Sequence, residues 1–468
     1  MAVTFNDDIF FAPIAELQAG IKARKYSSVE LTRAYLDRLE KLGPRYNALA
    51  LLIREPAIRK AHDADGDIMR ERIRSPLAGV PYAAKDLVAV AGGPTTWGAK
   101  PFAGQVFEED ASVVQRLGKA GAVLIGKLSM VELAGGGGYR FAAASLQGPG
   151  LNPWNRSHWS GGSSSGSGSA VAAGLVPWAI GSETSGSILS PSAYCGVTGL
   201  RPTYGLVSRA GCMALSWTLD KLGPIARTAE DCGLILSVMG GADSEDPGTA
   251  GKRFYYAPQF VPPLKELRVA YNPADFESGV VPEARAAFQE AVKAIRSLGV
   301  QMVESKLPDY PYSSLVATII SGEMSSIFED LVDSGQVDQL ADKRQIAGIK
   351  AGQEMLAKDY LRAMRIRRVI QAEFNRQFLD FEMYLAPAMS APAGRISEPL
   401  DRPGIPPVPL VPAGNLVGYP ALSLPCGLVN NLPIGIQLVG LPFTENKLLT
   451  VGKAFQSATD WHRRRPPQ

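Results

Sequence analysis

Glycine and serine dominate one segment of the chain, residues 160–202, which reads SGGSSSGSGSAVAAGLVPWAIGSETSGSILSPSAYCGVTGLRP. Ordinary core packing does not require such a composition. Glycine permits positive φ and the close approach of N–H groups to a reacting atom, and serine supplies hydroxyls that attack or relay protons. Two serine-rich turns flank the apolar residues 170–180. We expect both turns to meet at one end of a buried helix or strand.

The composition is that of a folded globular protein. The chain has 468 residues, of which 46% are hydrophobic and 20% charged. Its formal net charge of +3 provides no overall field that would attract nucleic acid or an anionic bilayer. We therefore expect a neutral or weakly charged small-molecule substrate, no nucleic acid and no membrane among its partners, and a monomer or homodimer.

The chain carries no signature of secretion, of a membrane span or of a metal site. The start of the sequence lacks a signal peptide, and its longest apolar run, residues 170–181, is too short to cross a bilayer. Four cysteines stand alone without a C-x-x-C motif, which is typical of reduced thiols in a cytoplasmic protein. None of the three histidines lies at ligand spacing from another, so we expect no metal and no cofactor.

Alternating helix and strand patterns indicate an α/β protein. Ser27 and Glu30 form a capping box before a helical pattern of apolar residues. Residues 77–90 and 120–127 read as buried strands on either side of a helix at 111–119. This order is typical of an α/β sheet whose loops carry the functional site.

The chain contains no convincing linker, and we expect a single domain of residues 1–468. It would have an N-terminal helical part, about 1–75, and a helical excursion, about 309–380. In that excursion a basic helix face lies opposite an apolar set: Leu361, Ile366, Val369, Ile370 and Phe374. We interpret the basic face as solvated rather than as an anion site.

One serine motif imitates a nucleophile elbow. Residues 162–166 match G-x-S-x-G, which in an α/β-hydrolase requires a histidine farther along the chain. The only later histidine is His462, in the C-terminal tail. A Ser-His-Asp hydrolase is therefore excluded, and serine chemistry here needs another base.

A lysine within an apolar strand pattern is the candidate base. Lys85 lies in GVPYAAKDLVAV, and burial would favour its neutral amine, which can activate a serine. The alternative is that Lys85 pairs with a carboxylate such as Asp86. This segment alone leaves both interpretations open.

Five blocks together resemble the amidase signature family. They are GVPYAAKD, GGSSSGSGSAVAAG, GSETSGSILSPSAYCGVTGLRPTYG, NLVGYPALSLPCG and LPIGIQLVG, in the family's order and spread over most of the chain. The resemblance implies an α/β fold, a three-layer α/β/α sandwich around a large twisted mixed sheet. It also implies a Ser-cis-Ser-Lys catalytic triad, which maps onto Lys85, Ser163 and Ser187.

The resemblance assigns each member of the triad a role. Ser187 would attack an amide carbonyl and form an acyl-enzyme, and Ser163, after a cis peptide bond, would pass protons between Ser187 and Lys85. Lys85 must then be neutral at rest, so the rate should rise into mildly alkaline pH.

The resemblance also places an oxyanion hole and a substrate pocket. Backbone N–H groups would stabilise the developing charge from a set of four residues: Thr184, Ser185, Gly186 and Ser187. The substrate pocket would include part of a glycine loop: Gly135, Gly136, Gly137 and Tyr139.

The nucleophile block departs from the usual family pattern. Many members have an aspartate, two glycines and an arginine where this chain has Glu183, Ser185-Gly186 and Leu189. Glu183 must therefore find a partner other than the missing arginine. The side chain of Ser185 adds bulk near the oxyanion hole.

Three functions remain open. The first is an amidohydrolase that cleaves C–N bonds of neutral amides, such as aryl amides or carbamates (urethanes), through an acyl-enzyme on Ser187. The second is the glutaminase (A) subunit of a tRNA-dependent amidotransferase, which the block at 204–232 resembles. The third is a non-catalytic amidase-like binding protein, although such a protein would be expected to lose a triad residue.

Overall fold

The computed structural model describes residues 5–73 and 75–467. Within these ranges the strands are β1 (Leu49–Leu52), β2 (Pro81–Lys85), β3 (Val123–Leu128), β4 (Leu151–Asn152), β5 (Asn155–Trp159), β6 (Trp178–Glu183), β7 (Thr198–Arg201), β8 (Lys221–Ala226), β9 (Arg268–Tyr271), β10 (Gln301–Glu304), β11 (Met383–Pro387), β12 (Ala421–Val429) and β13 (Leu432–Gly440). The α-helices are α1 (Ile14–Lys22), α2 (Ser28–Leu42), α3 (Arg54–Met69), α4 (Ser112–Lys119), α5 (Ser165–Ala172), α6 (Leu189–Cys195), α7 (Ala229–Met239), α8 (Arg285–Ser297), α9 (Tyr312–Ile327), α10 (Glu329–Asp333), α11 (Lys343–Gly352), α12 (Ala357–Gln377), α13 (Leu410–Val417) and α14 (Glu445–Ala458).

Eleven of the described strands form one mixed sheet in the order β1-β3-β2-β6-β8-β7-β12-β13-β11-β9-β10. Strand β2 is parallel to both β3 and β6, and β9 is parallel to β10 and β11, whereas the other neighbours are antiparallel. The predicted three-layer α/β/α fold around a large mixed sheet is confirmed.

The predicted N-terminal helix is α2, and its capping box is present. The hydroxyl of Ser27 accepts a hydrogen bond from the N–H of Glu30, whose carboxylate accepts one from the N–H of Ser27 at 2.8 Å. These bonds satisfy two donors that a helix start leaves unpaired. Leu31, Tyr35 and Leu39 then face the core.

A second core cluster forms where the helices between β10 and β11 meet the sheet. It includes Leu315 and Ile319 of α9, Ile370 and Phe374 of α12, and Tyr384 of β11. The helical members recur at four-residue spacing, which places them on one face of each helix. Among the described helices, none has the combination of length and hydropathy that crossing a bilayer requires.

Three elements at the centre of the sheet carry the serine-rich segment and Lys85. Strands β2 and β6 lie side by side in parallel, and every residue of β2, α5 and β6 is buried. The small side chains of α5 let it pack closely against the strands. The two serine turns therefore lie at the ends of buried elements, as predicted.

Candidate active site

Lys85 is the last residue of β2 and is fully buried. Its Nζ donates hydrogen bonds to Ser163 Oγ at 2.7 Å and to Ser182 Oγ at 2.9 Å. The neighbouring Asp86 instead forms an ion pair with Lys127, with 2.8 Å between Nζ and Oδ1. The structure thus decides between the two interpretations of Lys85, because its amine contacts serines rather than Asp86.

The pKa of Lys85 is lowered to about 7. Burial is the main cause, since it disfavours the charged amine, and the carboxylates of Asp220 and Glu183 partly oppose it. A substantial fraction of the amine is therefore neutral near pH 7. A neutral amine has the lone pair that a base requires.

Ser163 follows a cis peptide bond from Gly162. Its carbonyl oxygen accepts a hydrogen bond from Val131 N at 3.1 Å, which fixes the turn against the loop after β3. A Cβ on Gly162 would lie 2.7 Å from Trp159 and 3.1 Å from the Tyr139 hydroxyl. The close packing therefore requires glycine at this position.

Ser187 lies on the turn between β6 and α6, and only 8% of it is exposed. Gly186 before it has φ of +90°, a conformation that L side chains rarely adopt. The N–H of Ser164 donates to the Ser187 carbonyl at 3.3 Å. This bond joins the two serine turns, so they meet as the sequence predicts.

Glu183 supports the nucleophile turn from within the protein. Its Oε2 accepts hydrogen bonds from the N–H groups of Ile188 at 2.8 Å and Leu189 at 3.0 Å, and its Oε1 pairs with Arg201 Nη1 at 2.7 Å. Burial alone would raise the pKa of Glu183, but Arg201 and Lys221 hold it at about 2. Arg201 is therefore the partner that the departure from the family pattern left unidentified.

Glu183→Gln should destabilise the protein strongly. The substitution keeps the size of the side chain but leaves Arg201 without its buried counter-charge, which costs about 3–5 kcal/mol. Urea denaturation followed by circular dichroism measures the loss. Glu445→Gln is the control, because Glu445 is equally buried but accepts hydrogen bonds from Thr203 instead of an ion pair. Equal losses in the two variants would contradict this role for Glu183.

The predicted oxyanion donors surround the nucleophile. Glu183 takes the N–H groups that follow Ser187, whereas in the part of the chain that the structure describes no acceptor is found for those of residues 185–187. Unused N–H groups on a glycine-containing turn are suitable donors to a carbonyl oxygen that gains negative charge.

Asp220 lies behind the nucleophile turn. Its carboxylate accepts hydrogen bonds from the Thr184 hydroxyl at 2.6 Å and from the N–H groups of Leu215 and Ser216 at 2.7 and 2.8 Å. Burial raises the pKa of Asp220, and these hydrogen bonds oppose the shift. Asp220 therefore connects the predicted oxyanion loop to the segment before β8.

A cavity of about 300 Å³ adjoins this cluster. Ser182, Thr184 and Asp220 line its inner part, and residues 209–217 form much of its wall. Since Ser182 contacts the amine of Lys85, the cavity reaches the catalytic cluster directly. Sequence reasoning did not place residues 209–217 in the site.

Asp220→Asn should shift the pH dependence of amide hydrolysis to lower pH. The Asp220 carboxylate raises the pKa of Lys85, so its removal lowers that pKa and exposes the neutral base at lower pH. We expect the midpoint of the rise in kcat/KM to move down by up to about 1 pH unit.

A pH profile of kcat/KM between pH 5 and about 9 measures this shift, because the profile reports groups of the free enzyme. Asp231→Asn is the matched control, since Asp231 is also buried but contacts Ile14 and Thr228 instead. A lower rate with an unmoved midpoint would mean that Asp220 only supports the fold.

The structure places the predicted pocket residues beside the site. A Cβ on Gly135 would meet the Tyr139 ring at 2.6 Å, and the Tyr139 hydroxyl lies against Gly162. Gly136 faces Leu215, which lines the cavity. Gly137 instead packs against the backbone of α11. Tyr139 and Gly136 thus lie closer to the catalytic cluster than Gly137 does.

His462 does not join the serines. It lines a different cavity with Arg227, whose Nη2 donates to the His462 carbonyl at 3.2 Å. The exclusion of a Ser-His-Asp triad agrees with this placement. Sequence reasoning did not single out four members of the cluster: Ser182, Asp220, Arg201 and Asn415.

Comparison with known proteins agrees with this site. A family model described as Amidase matches residues 30–449. The A-type subunit of the glutamyl-tRNA(Gln) amidotransferase of Dechloromonas aromatica (strain RCB) is 37% identical over 483 residues, which cover 97% of this chain and 99% of that relative.

Two solved structures share the fold. The first is described as an unexpected vestigial protein complex that reveals the evolutionary origins of an s-triazine catabolic enzyme; it has a TM-score of 0.88 and 31% identity, covering 98% of this chain and 100% of that one. The native peptide amidase of Stenotrophomonas maltophilia has a TM-score of 0.84 and 30% identity, covering 98% of each chain. The chain belongs to the amidase signature family.

These relatives correct one expectation. From the balanced charge we expected a small-molecule substrate without nucleic acid, and a monomer or homodimer. Several relatives are instead named for their place in a glutamyl-tRNA(Gln) amidotransferase, and those names state both an assembly of several subunits and a tRNA. The expectation is therefore wrong. Net charge over a whole chain averages its surface and does not report how the charges are distributed.

Proposed function

We propose that this protein hydrolyses amides through an acyl-enzyme on Ser187. The observation that carries the proposal is the bond of 2.7 Å between the buried amine of Lys85 and Ser163 Oγ, beside the Ser187 turn. The proton of Ser187 Oγ passes to Ser163 Oγ as the Ser163 proton passes to the neutral Lys85 amine. The Ser187 oxygen then bonds to the amide carbon.

The second half of the step reverses the proton relay. The resulting Lys85 ammonium returns its proton through Ser163 to the amide nitrogen, the C–N bond breaks, and the amine or ammonia leaves. Water then attacks the Ser187 ester with the same relay as base, which frees the carboxylic acid. The N–H groups of residues 185–187 hold the oxyanion in both halves.

We further propose that the chain acts as the A-type subunit of a tRNA-dependent amidotransferase, with glutamine as the amide. The support is the 37% identity to a relative of that name over nearly the full length of both chains. Its product would be ammonia for a partner protein. We place the protein in the cytoplasm, where its four free cysteines stay reduced.

Ammonia release from several amides tests the proposal. The purified chain is incubated with glutamine, with and without tRNA and the other amidotransferase subunits of its source, and free ammonia is measured. We expect release from glutamine that increases when the partners are present. No release from glutamine in the complete assembly, with rapid cleavage of a 4-nitroanilide, would contradict the amidotransferase role.

A stand-alone amidase is the second candidate. The peptide amidase that covers 98% of this chain supports it, as does the cavity beside the cluster, whose wall includes Met213, Leu215 and Trp217. Such a wall accommodates an apolar group larger than the glutamine side chain. Substrate preference separates the candidates, since cleavage of aryl amides or carbamates by the isolated chain favours this one.

A further inference from the structure

Helix α12 presents an exposed basic face. Five cationic residues on this helix are exposed: Lys358, Arg362, Arg365, Arg368 and Arg376. We call this set the α12 basic face. Their spacings of three, four and eight residues place them on one broad side of the helix, and the set extends over about 27 Å at 1.5 Å per residue.

The other side of α12 is anchored by an arginine rather than by the expected apolar residues. Arg367 is buried and donates from Nε to the Leu416 carbonyl at 2.7 Å and from Nη2 to the Thr218 carbonyl at 2.9 Å. Leu361 and Val369, which the sequence pattern turned inward, are 58% and 55% exposed. The backbone carbonyls satisfy the buried guanidinium, and the helix is rotated accordingly.

The charge of the α12 basic face is uncompensated. Among residues 5–73 and 75–467, no carboxylate forms an ion pair with any of its five members, whereas exposed cations such as Arg54 and Lys453 do have such partners. On α12 itself, Glu373 accepts a hydrogen bond from the Tyr310 hydroxyl at 2.7 Å. A dense set of unpaired cations on a chain of net charge +3 is a local positive field.

The α12 basic face begins close to the catalytic cavity. Ala357 and Tyr360, in the first turn of α12, line a cavity of about 240 Å³ together with Trp217. Trp217 also lines the cavity that contains Ser182 and Asp220. A molecule bound along α12 would therefore lie next to the opening of the active site.

We propose that the α12 basic face binds the phosphate backbone of tRNA; this rests on the proposed amidotransferase function. Four of its five cations are arginines, which bind phosphate oxygens in a bidentate manner. A linear row of unpaired cations complements a linear row of phosphates, and sequence-independent contacts of this kind supply much of the affinity for nucleic acid. An acidic protein surface is the competing occupant.

Binding of fluorescein-labelled, unfractionated tRNA to the full chain tests the proposal. Anisotropy titrations at several salt concentrations compare the wild type with Arg362→Gln/Arg365→Gln/Arg368→Gln. The control Lys22→Gln/Arg33→Gln/Lys41→Gln removes the same charge from exposed positions on α1 and α2. We expect the first variant to bind tRNA at least about tenfold more weakly, with a salt slope smaller by about 2 to 3.

Several outcomes overturn the proposal. Equal losses in both variants would show that only net charge matters, and unchanged binding in the α12 variant would place tRNA elsewhere. Displacement of the tRNA by polyglutamate at the same charge concentration as by unlabelled tRNA would indicate an acidic protein instead. The readout is independent of activity, so absent ammonia release from glutamine with tRNA still bound at α12 would overturn the proposed function and retain the docking surface.

Discussion

Ser187→Ala should reduce amide hydrolysis about 10⁴- to 10⁶-fold and prevent formation of any acyl-enzyme. Ser187 is the only serine assigned to attack, and its turn is fixed by Glu183 through the N–H groups of Ile188 and Leu189. The residual rate would come from substrate binding and the oxyanion donors, which remain in place. Initial rates with a 4-nitroanilide or glutamine measure the loss.

Ser167→Ala provides the matched control. Ser167 is a buried serine of the same glycine-rich segment, and its hydroxyl donates to the Ile180 carbonyl at 3.2 Å. Its loss should change the rate only a few-fold, since a neutral hydrogen bond contributes about 1 kcal/mol. Similar losses of rate in both variants would mean that any disturbance of the segment inactivates the protein.

Lys85→Met should lower the rate by about 10³- to 10⁵-fold while leaving the protein as stable or more so. Methionine matches the length of the lysine stem but has no base, so the Ser163 proton has no acceptor. The substitution also removes the free-energy cost of burying an amine. Rates and thermal melting curves are measured on the same preparation.

Lys85→Arg separates the base from the charge. An arginine stays protonated at every pH of interest, so this variant should be inactive even at pH 9. Substantial activity in either Lys85 variant, with a rise toward alkaline pH like that of the wild type, would mean that another group acts as the base.

The sequence predicts those parts of the structure that depend on local patterns. The capping box at Ser27 and the buried strand that ends at Lys85 follow from spacing alone, and both are present. The meeting of the two serine turns follows from their position around one buried apolar run. The assignment of roles to Lys85, Ser163 and Ser187 needed the family resemblance, because no local rule identifies a lysine as a base.

Contacts between distant segments were not predictable. Glu183 and Arg201 pair at the backs of two strands separated by β8 in the sheet, and Asn415 reaches Glu183 from α13. Nothing in the sequence around Glu183 identifies these partners. Arg367 was unpredictable for another reason: a periodicity of apolar residues cannot anticipate that backbone carbonyls will satisfy a buried guanidinium.

The most direct test of the central claim is covalent labelling of the nucleophile. The folded protein is treated with a fluorophosphonate, and the modified residue is identified by mass spectrometry of its peptides across a range of pH. We predict a single adduct on Ser187, formed faster as pH rises through about 7, where Lys85 loses its proton. An adduct on another serine, or labelling of Ser187 in Lys85→Met at the wild-type rate, would contradict the account.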